Sequence, residues 1–184
     1  MEHYFESIQG WFNFKEPYRQ AVREFTDGSV FVELGCWKGK SASFLCVEVA
    51  NSGKEISLNF VDHWGGSDEE AHKTDPELER VFDLFKSNVA KSGVKTSIHR
   101  LPTVEAAKKF DDCSVDFIWV DAGHDYEAVM ADLKAWWPKL KAQGIMGGDD
   151  FPMEGVKSAV EEFFPSFETG SENGWSWWRV RKKG

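Results

Sequence analysis

The sequence predicts an α/β fold built around a mostly parallel sheet. Short β-branched and aromatic runs alternate with segments whose apolar residues recur at i, i+3, i+4 and i+7, and a glycine turn follows the first run. Acidic residues stand at the carboxyl ends of four runs, at Glu33, Asp62, Asp121 and Asp149. Open parallel sheets bind ligands beyond their strand carboxyl ends, so four acids in that position point to a site.

Taken in order, Tyr18, Ala21, Val22 and Phe25 predict a leading helix after Pro17. Val30 to Leu34 reads as the first strand, Ser41 to Ala50 as a helix stopped by Asn51-Ser52-Gly53, and Ile56 to Val61 as a strand ending at Asp62. A polar loop is expected over His63–Thr74. Asp75 with Pro76 then predicts the start of a helix carrying Leu78, Val81, Phe82, Phe85 and Val89 and ending at Gly93. Thr96 to Leu101 is a third strand, Val104 to Phe110 a short helix, and Val115 to Val120 a strand ending at Asp121. Val129, Met130, Leu133, Trp136, Trp137 and Leu140 define the next helix; Ile145 and Met146 lead to Asp149-Asp150; Val156, Ala159, Val160 and Phe163 form the last helix. Ser166–Thr169 and Trp175–Arg181 read as a closing hairpin around Gly170 to Gly174. No repeat, low-complexity stretch or linker divides the chain. One domain over residues 1–184 is expected, with residues 1–27 as an aromatic and helical cap.

Composition narrows the function. The 184 residues are 41% hydrophobic and 29% charged, which suits a globular core. A net charge of -9 argues against a nucleic-acid partner, because phosphate backbones are bound by a surplus of Lys and Arg. Arg179, Arg181, Lys182 and Lys183 form the one obvious basic patch. Cys36, Cys46 and Cys113 make no CxxC pair, and the acidic N-terminus has no apolar signal region, so a soluble, cytoplasmic protein without a membrane partner is expected. With 15 Phe and 9 Trp, some rings are expected at a pocket or a subunit contact, which leaves a homo-oligomer open.

The informative stretch is Val32-Glu33-Leu34-Gly35-Cys36-Trp37-Lys38-Gly39-Lys40-Ser41, between the first strand and its helix. Gly35 permits a tight turn and close ligand approach, and the helix start offers N–H groups suited to a carboxylate. The spacing is neither G-x-G-x-x-G nor a P-loop, which weakens dinucleotide and nucleotide readings. A plain strand–turn–helix is the alternative.

Glu33-Leu34-Gly35 with Gly39 and Ser41 resembles the first motif of class I S-adenosylmethionine-dependent methyltransferases, in the version of the catechol O-methyltransferase group. Val120-Asp121-Ala122-Gly123-His124-Asp125-Tyr126-Glu127, Asp132-Leu133, Trp136-Trp137-Pro138 and Gly147-Gly148-Asp149-Asp150, with Gly10-Trp11, resemble methyltransferase family 24, near the macrocin-type sugar O-methyltransferases. The resemblance runs from about residue 8 to 165. It implies a Rossmann-like, seven-stranded sheet, six strands parallel and one antiparallel, and methyl transfer from S-adenosylmethionine to a hydroxyl of a small molecule such as a sugar.

Carried over by position, Gly35, Cys36, Trp37 and Gly39 would cradle the methionine moiety, with Glu33 near its amine and Ser41 near its carboxylate. Asp62 would accept from the ribose hydroxyls with His63 beside it, or else cap the loop. Pro102 and Thr103, after Leu101, would lie against the adenine. Asp121, Asp149 and Asp150 match positions that bind a divalent cation, Mg²⁺ by its preference for oxygen. The third is often an amide in the catechol-type enzymes; the alternative has Asp150 capping the helix entered at Pro152. Asp121 and His124 are the expected catalytic pair, His124 taking the substrate proton or merely steadying its helix. His63, His72 and His99 have no comparable neighbours and read as loop or strand residues. Trp37, Trp64, Trp11 and Phe12 are candidates to cover the pocket, whereas Trp136 and Trp137 read as core. A nucleotide-binding module or oxidoreductase, and a catalytically silent binding protein, remain as rivals. An RNA- or DNA-base enzyme is disfavoured by charge and by the absence of an Asn/Asp-Pro-Pro-aromatic motif.

Overall fold

The computed structural model describes residues 1–67 and 70–184. Seven strands, β1 (Val30–Leu34), β2 (Ser57–Asp62), β3 (Thr96–Arg100), β4 (Val115–Val120), β5 (Leu140–Gly148), β6 (Glu168–Glu172) and β7 (Trp175–Arg181), form one sheet in the order β3-β2-β1-β4-β5-β7-β6. The first five pair in parallel, and β7 runs antiparallel to both β5 and β6. Six strands therefore share one direction and β7 opposes them, as expected. The order reverses between β1 and β4, which places a ligand crevice above their carboxyl ends.

Among the described residues, seven α-helices flank the sheet: α1 (Lys15–Glu24), α2 (Lys40–Ser52), α3 (Glu70–Lys73), α4 (Val81–Ala90), α5 (Thr103–Ala107), α6 (Tyr126–Trp136) and α7 (Glu154–Phe163). Strand alternation divides the core in two. Phe31, Phe60, Phe117 and Trp119 face Tyr18, Phe44 and Phe85 on one side. Val32, Leu34, Ile118 and Val120 face Val129, Leu133, Trp136 and Val160 on the other. Burial on both faces is why these strands read as near-continuous apolar runs. Each large side chain removed from water contributes about 1.5–3 kcal/mol.

Several boundaries differ from the sequence expectation, for identifiable reasons. Asp75 does not start α4. Its Oδ2 takes the buried Lys38 ammonium at 2.7 Å and its Oδ1 accepts the Glu77 N–H, so a 3-10 turn over Leu78–Arg80 precedes the helix at Val81. Leu140 belongs to β5 rather than to the helix before it. Pro138 sits in the 3-10 turn Trp137–Lys139, where its ring and missing N–H end α6, and Leu140 pairs with Val115. The expected loop over His63–Thr74 contains the short helix α3; positions 68 and 69 of that loop lie outside the described residues. The hairpin turn is Asn173-Gly174 alone, both at positive φ (54° and 81°), and Gly170–Glu172 continue β6.

Candidate active site

The loop from β1 to α2 is held by one carboxylate. Asp62 Oδ2 accepts the backbone N–H groups of Cys36 (2.9 Å) and Trp37 (3.0 Å), while Oδ1 accepts that of Trp64 (2.6 Å). An ionised carboxylate has about four lone-pair sites, so three are used by the fold and one remains for a ligand hydroxyl. Asp62 thus does cap its loop, and it also lines the cavity. Gly35 stands at φ +79°, and a Cβ there would lie 1.8 Å from the Asp121 carbonyl oxygen. The loops after β1 and β4 touch at that point, and only glycine fits.

A cavity of about 720 Å³ opens above this contact. Of the positions expected at the cofactor, Gly35, Cys36, Trp37, Ser41, Asp62, His63, Pro102, Thr103 and Asp121 line it. Two expected positions do not. Glu33 lies beneath the loop, 1% exposed, its Oε1 accepting the Ser41 hydroxyl at 2.5 Å; burial lifts its pKa to about 8. Gly39 is the left-handed cap of α2, where a side chain would press on Phe85. Trp64 and Phe12 are buried core rings, not pocket covers; Trp64 packs on Phe82 and Phe85 and donates its indole N–H to the Trp37 carbonyl.

Asp121, His124, Asp149 and Asp150 all line the same cavity. His124 Nε2 lies 2.8 Å from Asp150 Oδ2 and 4.0 Å from Asp121 Oδ1. Asp121, His124 and Asp150 each place a ligand atom within 4.8 Å of the others, a spacing one cation could bridge. Asp149 stands outside that trio, 6% exposed, and its Oδ1 is buried without a hydrogen-bond partner among the described residues. Asp150 caps no helix: it stands at φ 56°, and α7 begins at Glu154. Burial, then the charges of Asp149 and Asp150, push the Asp121 carboxyl well above its usual range. Burial and Asp150 lift Asp149 to about 7. For Asp150 burial acts upward too, but His124 and the Trp175 N–H outweigh it and hold the group low. A buried acid without a partner, beside two acids and an imidazole, is a donor set that fits a divalent cation.

The sequence reading missed several wall residues. His72 stacks on Trp37 with ring centroids 3.9 Å apart. Gln9, Gly10 and Asn13 bring the N-terminal segment to the rim, where Gln9 Oε1 accepts the Trp37 indole N–H and Lys40 Nζ donates to the Gly10 carbonyl. Apart from the Gly10-Trp11 pair, no local pattern announced them, because tertiary contacts carry that segment across α2. Asp132 is 2% exposed, lines the cavity beside Thr103 and accepts the Thr103 hydroxyl.

Burial lifts Asp132 to about 6, above the roughly 3.9 of an unfolded chain. Its protonated form is therefore favoured by folding. That contribution is complete below about pH 4 and is lost as pH rises through the folded value. Asp132→Asn keeps the acceptor for Thr103 and removes the titration. Its melting temperature should fall less than the wild type's between pH 4 and 7; equal falls would place that pH dependence elsewhere.

Comparison with known proteins agrees with this geometry. Residues 32–151 match the family Methyltransf_24, described as a methyltransferase domain. An uncharacterized protein of Sinorhizobium fredii, y4gI, is 27% identical over 144 residues, 78% of this chain; the chain spans 15% of that relative's length. The fold is similar to a SAM-dependent O-methyltransferase from Thermotoga maritima (TM-score 0.67, 14% identity, 96% of this chain and 68% of that one). It is also similar to an rRNA methylase from Streptococcus thermophilus (TM-score 0.66, 11% identity, 91% and 95%). A Streptococcus mutans protein solved in complex with SAH is similar as well (TM-score 0.67, 9% identity, 95% and 99%). At these identities the structures speak for the fold, and the family match covers most of the sheet and the whole acid cluster. The chain belongs to the Methyltransf_24 family of methyltransferase domains and shares its fold with these solved methyltransferases.

Proposed function

We propose that the protein transfers a methyl group from S-adenosylmethionine to a hydroxyl of a small molecule, with a sugar as the acceptor class the resemblance suggests and a divalent cation assisting. One observation carries this reading: a single cavity joins the Asp62-anchored glycine loop to the Asp121–His124–Asp150 cluster. A cofactor end and a proton-handling end thus share one wall. We place the protein in the cytoplasm, with free Cys36, Cys46 and Cys113, and without nucleic-acid or membrane partners. Among the described residues no helix is long and apolar enough to cross a membrane.

Bound S-adenosylmethionine supplies an electrophilic methyl group on a sulfonium. Asp62 and the Cys36–Trp37 backbone would fix the ribose and methionine ends, and Thr103 with Pro102 the adenine. Alignment of hydroxyl oxygen, methyl carbon and sulfur is then mainly a matter of orientation. His124 would accept the proton that the hydroxyl gives up on methyl transfer, and Asp121 and Asp150 would balance its positive charge. Asp121, Asp149 and Asp150 would hold a cation that lowers the hydroxyl pKa.

Calorimetry with S-adenosylmethionine tests the cofactor. Binding should be measurable, and Asp62→Ala should weaken it by about 1.5–3 kcal/mol for one hydrogen bond to a charged group, and further because the glycine loop loses two anchors. Binding of a nicotinamide dinucleotide in its place overturns the reading. For the metal, millimolar Mg²⁺ or Mn²⁺ should raise the melting temperature by mass action, and Asp149→Ala should remove that gain. A melting curve unmoved by either ion, with and without cofactor, leaves the acids without a metal role.

A further inference from the structure

Among the described residues, five large apolar side chains are notably exposed: Met1, Trp11, Val104, Met153 and Trp175. All but Met1 line the candidate active-site cavity. Scattered exposed apolar residues need no explanation, but a ring of them around a single mouth does. Trp11 (56% exposed), Met153 and Trp175 (37% exposed) lie outside residues 32–151, the segment matched to the family, whereas Gly35, Asp62, Thr103, Asp121 and Asp132 lie within it. The matched segment supplies the cofactor end and the acid cluster; Trp11, Met153 and Trp175 add apolar wall from outside it.

Those flanks are held in place. Glu172, at the hairpin, accepts the Lys15 backbone N–H at 2.9 Å and pairs with the Lys15 ammonium, tying β6 to α1 just after Trp11. Trp175 donates its indole N–H to Asp150 Oδ1 at 2.7 Å. Trp11 lies with its ring 5.9 Å from His72. Trp175 thus borders the acid cluster, and Trp11 stands beside His72 on another part of the same cavity wall.

We infer that Trp11 and Trp175 select the methyl acceptor, and that the acceptor is an uncharged alcohol built on a ring whose apolar face lies against these indoles. This rests on the methyl-transfer reading above. The ring follows from the indoles, which contribute broad flat area at low entropy cost. Absence of negative charge follows from Asp121, Asp149 and Asp150 in the same cavity, three acids that outnumber the two positive charges of one divalent cation held between them. The same argument opposes an RNA acceptor.

The test uses the full chain loaded with S-adenosylhomocysteine and saturation-transfer NMR. Methyl β-D-glucopyranoside is the uncharged ring, sorbitol its open-chain counterpart, glucose 6-phosphate the anion and an RNA hexamer the polymer. Transfer to the ring C–H protons of the pyranoside should exceed that to sorbitol and to the phosphate. Trp11→Ala and Trp175→Ala should each weaken pyranoside binding about threefold to tenfold, the range one aromatic contact supplies. Trp11→Phe and Trp175→Phe should retain most of it, and all four should bind S-adenosylhomocysteine as the wild type does. Equal binding of sorbitol, tighter binding of the phosphate or the RNA, or indifference to both alanine variants overturns the proposal. Failure to bind S-adenosylhomocysteine at all would instead overturn the methyltransferase reading.

Discussion

Replacing His124 by glutamine is expected to lower kcat by about 10²–10⁴-fold, the usual contribution of a general base. The side chain keeps its size and a hydrogen-bonding tip beside Asp150, but it cannot become a cation. Affinity for S-adenosylmethionine should stay near the wild-type value, because His124 stands with the acids rather than with the glycine loop. A loss in kcat at constant KM marks an interaction made in the transition state. Raising the pH should partly restore the variant as solvent takes over the proton. An unfolded variant, or one with undiminished kcat on an accepted substrate, would make His124 a structural partner of Asp150. Steady-state kinetics beside a thermal melt separates these outcomes.

Gly35→Ala should be the most damaging small substitution in the chain. The added methyl would lie 1.8 Å from the Asp121 carbonyl oxygen and 2.7 Å from the Ala122 Cα, against backbone on both counts, at φ +79°. Neither neighbour can rotate away, so the loops after β1 and β4 must separate. A cost of about 4 kcal/mol or more is expected, which for a domain of this size lowers the melting temperature by about 10 °C. Cofactor binding should fall with it, since Cys36 and Trp37 would leave Asp62. A melting temperature within about 3 °C of the wild type, with binding intact, would show the contact to be soft. Gly53→Ala is the control: it too has positive φ, but nothing lies within 4 Å of the added carbon.

Much of the architecture was legible in the sequence because it is local. The runs Val30–Leu34 and Val115–Val120 are strands with those limits, since burial on both faces makes them apolar apart from Glu33 and Asp116. Gly53 ends α2 at φ 69°, where a side chain would be strained. The expectations failed where a distant partner intervened. Lys38, from the loop after β1, claims Asp75 and so delays α4; Val115, on β4, claims Leu140 for β5. Asn173-Gly174 is a readable turn pair, and the structure narrows the expected Gly170–Gly174 turn to it by continuing β6 to Glu172.

By itself the sequence determined the α/β class, a mostly parallel sheet and the acids at its strand carboxyl ends, because strand period, element alternation and turn chemistry are read along the chain; the single opposing strand was implied by the family resemblance. Only the tertiary structure decided which of those acids meet. It spends three of Asp62's four acceptor sites on the fold, buries Glu33 under the loop, and leaves Asp149 with an unpartnered oxygen. It also brings Trp11 and Trp175, 164 positions apart in the sequence, to one cavity. Such meetings depend on how the sheet closes and how its flanks pack, and no window along the chain contains that information.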